Sequence, residues 1–285
     1  MKSFFNNLVN SEIEFEKIDF NSIINKKENI FIVLSKDPFL MIEQIENTFY
    51  LGNLFNNQFY ITDEYYYIFL ENMKKLSNHK IYEINTLSNI PPNSIFINFD
   101  SQSEIERFIQ ASKDTIFFDI NNRGNFIIKP QVEDYKDILN VFYTISNISP
   151  EKSNFKIDYP EKNRKEKNEK LKLIFDIQNS INGKAVDILL KNLQNYPDLE
   201  LYLIWRTGSV DFDYSHLDTE NFYNYYQAAR DADIFFTDDK VMWKFLKKLN
   251  LTPVFLGKKN DKDELIYNPK NIFDIKNFIF SKRDE

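Results

Sequence analysis

Asp37 stands between an apolar run and Pro38. Its carboxylate is therefore either a base at the edge of a sheet or the N-cap of a helix entered through the proline. Lys184 follows Asn182-Gly183, read as a flexible turn, so its ammonium could meet a phosphate oxygen where helix-start amides also point; the alternative is a solvent-exposed first-turn lysine. Arg206-Thr207-Gly208-Ser209 is a small-residue loop able to line a cleft, or an ordinary turn. In Asp238-Asp239-Lys240 two carboxylates repel a phosphate, and no glycine lets the backbone approach one, so an N-cap is the stronger reading. Two adjacent acidic side chains rarely converge on one ion without further ligands, and no metal is expected. Trp243, beside Met242, could stack on a base or sugar ring, or pack within its helix.

Other chemistries are disfavoured. Cysteine is absent and the two histidines, His79 and His216, lie in different halves of the chain. That leaves no thiolate nucleophile, zinc set or Ser-His-Asp triad. A net charge of -7 argues against nucleic acid as a partner, which calls for clustered cations. The basic run at 162–172 also holds Glu166 and Glu169; it reads as a solvated linker, the alternative being a contact with acidic lipid or a lipid-linked glycan. Glu12, Glu14 and Glu16 interrupt the first residues, and nowhere do eighteen apolar residues follow one another. A cytoplasmic protein is expected, with membrane contact at most peripheral to the inner membrane.

The elements that must position these residues follow from hydrophobic periodicity. Short apolar, β-branched runs predict strands at 29–34, 58–61, 80–83, 94–99 and 115–118. Helical spacing falls at 38–55, 64–76, 103–112 and 132–145. A polar stretch at 149–170 with two prolines marks a boundary. The second half restarts with strands at 171–176, 199–205, 234–237 and 253–256 and helices at 184–193, 219–232, 241–249 and 272–281. The alternation predicts an α/β chain with parallel sheets, in a first domain at 1–155, a charged linker at 156–170 and a second domain at 171–285.

The order of residues in the second half resembles the ADP-heptose:lipopolysaccharide heptosyltransferase family of glycosyltransferases. The stretch LIFDIQNSINGKAVDILLKNL supplies Ser180, Gly183 and Lys184 where the family has a small-residue loop ending in lysine. ADIFFTDDKVMWKFLKKLNLTPVFLG then supplies Asp238, Met242, Pro253 and Gly257, with Lys240 and Trp243 where the family has glycine and histidine. The resemblance implies the GT-B fold, two Rossmann-like domains facing across a cleft, and a nucleotide-sugar donor passing its sugar to a glycan or lipid-linked glycan acceptor without a cofactor. It implies that Asp37, in FIVLSKDPFLMIEQI, is the counterpart of the family's catalytic base. On the donor side it implies Ser180, Lys184, Arg206, Gly208, Asp238, Asp239, Lys240 and Met242. The first domain would then serve the acceptor and the second the donor. Two functions are expected to compete: a transferase building a bacterial surface glycan of lipopolysaccharide or capsule type, and a catalytically degenerate binding or scaffold subunit that keeps the fold.

Overall fold

The structure is a computed structural model that describes residues 24–26, 28–73, 76, 79–102, 108, 115–123, 134–151, 170–178, 180–205, 215–217, 219–256, 266–267 and 272–283. The chain divides into two compact units, Met1–Tyr159 and Pro160–Glu285.

In the first unit β1 (Asn29–Val33) leads to α1 (Pro38–Thr48) and a 3-10 turn at Phe49–Asn53. Then come β2 (Asn57–Thr62), α2 (Glu64–Glu71), β3 (Lys80–Glu83), β4 (Ser94–Asn98), β5 (Ile116–Asp119) and α3 (Tyr135–Ser146). The expected helices at 38–55 and 64–76 are thus shorter. The first gives way at Phe49 to the tighter turn, and Asn72, the C-cap of α2, donates its side-chain amide back to Ile68 O. The expected helix at 103–112 lies outside the described residues except Phe108. All strand pairs are parallel and their order is β3-β2-β1-β4-β5. Because both faces of such a sheet are covered, its strands are apolar throughout rather than alternating; β4 and β5 are buried at every position. Register places Phe59, Phe31, Phe96 and Phe117 in one row across four strands, with ring centroids 4.4, 6.4 and 5.1 Å apart in succession. On α1 and α3, Asn47 Nδ2 donates to Tyr135 Oη at 2.9 Å and Tyr143 Oη donates to Asn47 O at 3.0 Å. These bonds fix the two helices side by side.

The second unit runs β6 (Leu171–Ile177), α4 (Ser180–Leu193), β7 (Leu199–Trp205), β8 (Ser215–His216), α5 (Phe222–Asp231), β9 (Ile234–Thr237), α6 (Lys240–Lys248), β10 (Val254–Leu256), β11 (Ile266–Tyr267) and α7 (Ile272–Arg283). Its order is β8-β7-β6-β9-β10-β11, again all parallel. The two-residue strands β8 and β11 have no counterpart in the sequence reading, being too short to show a period. Val186, Leu189, Leu190 and Leu193 of α4 and Ile275 and Ile279 of α7 bury one face of this sheet against Leu173, Phe175 and Phe236. Phe222 of α5 stacks obliquely on Phe245 of α6 at 5.2 Å, and Tyr225 meets Phe235 edge-on at 5.5 Å. In both units the chain therefore runs third, second, first, fourth, fifth across the sheet, with a sixth strand, β11, added at the edge of the second. The order reverses between β1 and β4 and between β6 and β9, and in open α/β sheets such a reversal is where ligands enter, at the carboxyl ends of the strands.

Candidate functional site

The reversal in the second sheet holds a connected set of polar groups. Asp176, near the end of β6, is fully buried. Its Oδ2 accepts from Tyr225 Oη at 2.7 Å and from Thr237 Oγ1 at 2.9 Å. The amide of Asp238, one residue past β9, continues the ladder by donating to Asp176 O at 3.2 Å. That bond fixes the Asp238 side chain over the start of the β6–α4 turn, where its Oδ1 accepts the backbone N–H of Gln178 at 2.7 Å. Asp239 is the N-cap of α6, its Oδ1 accepting from Val241 N at 2.8 Å and Met242 N at 3.2 Å. The Asp239 amide donates to Thr237 Oγ1 at 3.1 Å, and its Oδ2 accepts from Gln178 Nε2 at 2.9 Å. Gln178 thus ties the end of β6 to both carboxylates that follow β9.

The capping role expected for Asp238-Asp239-Lys240 falls to Asp239. Lys240, the first residue of α6, is exposed, whereas Met242 lies against the core. Trp243 is no stacking platform: it is buried, its Nε1 donates to Pro253 O at 3.0 Å, and its ring meets Phe255 at 5.5 Å. Helix α4 begins at Ser180 rather than at Lys184, so Asn182-Gly183 is the first turn of that helix and not a free turn before it. In sequence Asn182, Gly183 and Lys184 interrupt the apolar spacing ahead of Val186, which hides the earlier start. Arg206 and Gly208 lie outside the described residues.

At the reversal in the first sheet, Asp37 is exposed and caps α1, its Oδ1 accepting from Phe39 N and Leu40 N at 2.9 Å each. The Asp37 amide donates to Ser35 Oγ at 3.1 Å, and the Ser35 amide to Gln44 Oε1 at 2.8 Å. Proline at N1 and a carboxylate at the cap are the local reasons a helix starts here. Three further acidic groups at this edge were not singled out from sequence. Asp63 caps α2 through Tyr66 N at 3.2 Å. Burial pushes its carboxyl above the usual value and the Asp100 charge adds to this, against the Tyr66 amide and the Lys36 ammonium. Asp100 is buried past the end of β4, where its Oδ1 accepts from Gln102 N at 3.0 Å. Asp119 is fully buried at the end of β5. Desolvation would raise its pKa, but the Arg123 guanidinium at 3.0 Å on both oxygens, Asn98 Nδ2 at 2.6 Å and the Arg123 amide at 2.9 Å together hold it below the usual range. The signal available in sequence was the aspartate or asparagine at the end of the β2, β4 and β5 runs, Asp63, Asn98, Asp100 and Asp119.

No protein-family model matches the chain, and no curated protein matches it. Among solved structures it is similar to E. coli heptosyltransferase WaaC with ADP, at TM-score 0.50 and 8% identity over 89% of this chain and 99% of that one. It is similar also to E. coli heptosyltransferase WaaC with ADP-2-deoxy-2-fluoro heptose, at TM-score 0.49 and 9% identity over the same shares. At such identity the likeness concerns the fold: two parallel α/β units of the GT-B type.

Proposed function

We propose that the chain is a nucleotide-sugar glycosyltransferase acting on a bacterial surface glycan of lipopolysaccharide or capsule type. The observation that supports this most is the polar set at the reversal of a fully parallel, doubly wound second sheet, in a chain whose fold is that of a solved heptosyltransferase holding ADP. On this reading the second unit takes the donor, with Ser180, Lys184 and Lys240 near its diphosphate, Arg206 and Gly208 in the loop after β7, Met242 backing α6, and Asp238 and Asp239 bordering the same edge. The first unit serves the acceptor. Asp37 takes the proton of the acceptor hydroxyl as its oxygen bonds the anomeric carbon, while the bond from that carbon to phosphate breaks and the nucleotide leaves with the electron pair.

The competing reading is a degenerate, glycan-assembly binding subunit. It is favoured by Trp243, whose buried indole is structural where the resembled family has a histidine. A thermal-shift screen of the purified chain against UDP, GDP, CMP, ADP and their sugars separates the two, because a ligand bound only by the folded state raises the midpoint. A rise with one nucleotide, lost in Lys184→Ala, is expected; silence across the panel favours the binding subunit.

A further inference from the structure

Helix α6 is divided along its length. Met242, Trp243, Phe245 and Leu246 are buried, and the rest of the helix, Lys240, Val241, Lys244, Lys247 and Lys248, is exposed. At 3.6 residues per turn these five share an arc of about 120°, and the lysines extend over about 12 Å of helix. No carboxylate stands within α6, and those just ahead of it, Asp238 and Asp239, accept from the amides of Gln178, Val241 and Met242. Cations on other helices are paired: Lys136 with Glu43 at 2.7 Å, Lys191 with Asp187 at 2.8 Å and Arg230 with Asp231 at 3.0 Å. Among the described residues none of the four α6 lysines has a carboxylate at such a distance; Lys247 lies instead over the Trp243 ring, 4.4 Å from its centroid. The chain as a whole is acidic, at -7, but charges more than about 8–10 Å away are screened at physiological salt. Close to an anionic surface this face therefore acts as a local cation.

We propose that the exposed face of α6 docks on the surface of a bilayer containing anionic phospholipid. Two features favour lipid over nucleic acid as the polyanion. Val241, 53% exposed, stands among the lysines, and an apolar side chain within a basic face is what an interfacial helix places at the headgroup boundary. The face also holds neither arginine nor an exposed aromatic ring, Trp243 being buried, whereas nucleic acid is gripped by bidentate guanidinium and by stacking on aromatic rings. Because its other side packs on the sheet, α6 lies flat on the interface and does not insert, its lysine stems reaching the headgroups. The inference goes beyond the proposed transferase and does not depend on it: Lys244, Lys247 and Lys248 have no part in the donor site. Docking through α6 brings the start of that helix, and with it the polar set after β9, to the leaflet.

The test is co-sedimentation of the full chain with vesicles of phosphatidylcholine alone and of phosphatidylcholine mixed with phosphatidylglycerol, at low and high salt. A double variant, Lys244→Gln with Lys248→Gln, removes two charges from the face. A second, Lys136→Gln with Lys191→Gln, removes two ion-paired lysines from other helices and so matches the first in net charge. All four positions are exposed or at the surface of their helices, and a thermal midpoint for each variant confirms that it folds. The unaltered chain is expected to bind the mixed vesicles and not the neutral ones, and to be released by salt. Each lysine near such a surface is worth about fivefold in partitioning, so the α6 variant is expected to lose more than tenfold, while the matched variant keeps its binding. Val241→Ser is expected to weaken binding by a smaller factor that salt does not remove. No binding to the mixed vesicles, or an equal loss in both double variants, overturns the docking face. Binding to single-stranded DNA in place of vesicles, lost in the α6 variant, also overturns it and gives the face to a nucleic acid. Either result leaves the transferase reading to its own nucleotide screen.

Discussion

At the residue scale, buried carboxylates at the carboxyl ends of strands organise both units. Asp176 is held by Tyr225 and Thr237. Tyr225→Phe removes one hydroxyl from a fully buried carboxylate and is expected to cost about 1.5–3 kcal/mol in chemical unfolding. An effect near zero would mean that the bond is not made in solution. Asp119 behaves as a depressed acid: its contribution is complete above the ordinary carboxylate range and is lost as pH falls through its lowered folded value. Arg123→Ala is accordingly expected to cost about 1.5–3 kcal/mol at neutral pH and to move the acid-unfolding midpoint upward, measured by circular dichroism along a pH series. Asp63 has the opposite sign, since burial raises it. Asp63→Asn, which keeps a competent cap, is expected to stabilise the chain at pH 7, with the gain vanishing below the ordinary carboxylate value. Of these groups the sequence reading singled out Asp37, Asp238 and Asp239 through helix-start chemistry. It passed over Asp63 and Asp100, although their partners lie only 3 and 2 positions on, and over Asp119 and Asp176, which also need Asn98, 21 positions away, and Tyr225 and Thr237, 49 and 61 positions away, partners that only folding brings together.

At the element scale, strand positions were the most legible part of the sequence. Runs such as NIFIV, SIFIN and IFFD, buried on both faces, announce parallel strands through β-branched and aromatic content. Helix ends were less legible, as the early start of α4 and the break of α1 into a 3-10 turn illustrate. That turn has a packing cause. A Cβ on Gly52 would stand 2.8 Å from both Gln58 Oε1 and His79 Nε2, so any other residue there makes those two side chains shift. Gly52→Ala is expected to destabilise by about 1–3 kcal/mol, read from the urea midpoint. His79 sits between the rings of Phe49, at 4.8 Å, and Tyr60, at 5.6 Å. Burial lowers its pKa below 6.5, against an opposing contact with the Phe49 backbone. Above that value the imidazole is neutral in both states. As pH falls below it the unfolded chain takes the proton first, so stability declines until the folded value is passed. His79→Asn is expected to flatten the stability difference between pH 7 and pH 5, and an unchanged slope would assign it to other groups.

At the scale of the whole molecule, each unit repeats one topology, and each reversal of strand order gathers acidic and amide groups at the carboxyl edge. Alternation of strands and helices predicted the parallel α/β class. Strand order was not legible, because it depends on which right-handed crossover passes over which neighbour. Among the described residues no helix is long and apolar enough to cross a membrane. The proposed transfer of a sugar is tested most directly by nucleotide release when the full chain is incubated with ADP-, UDP-, GDP- and CMP-sugars and a lipid-linked glycan fraction, beside Asp37→Ala. Release from one donor, dependent on the glycan fraction and reduced at least a hundredfold in Asp37→Ala, is the expected result for a general base. No release from any donor, by a chain that still binds one of these nucleotides, would contradict the transferase and leave a binding protein.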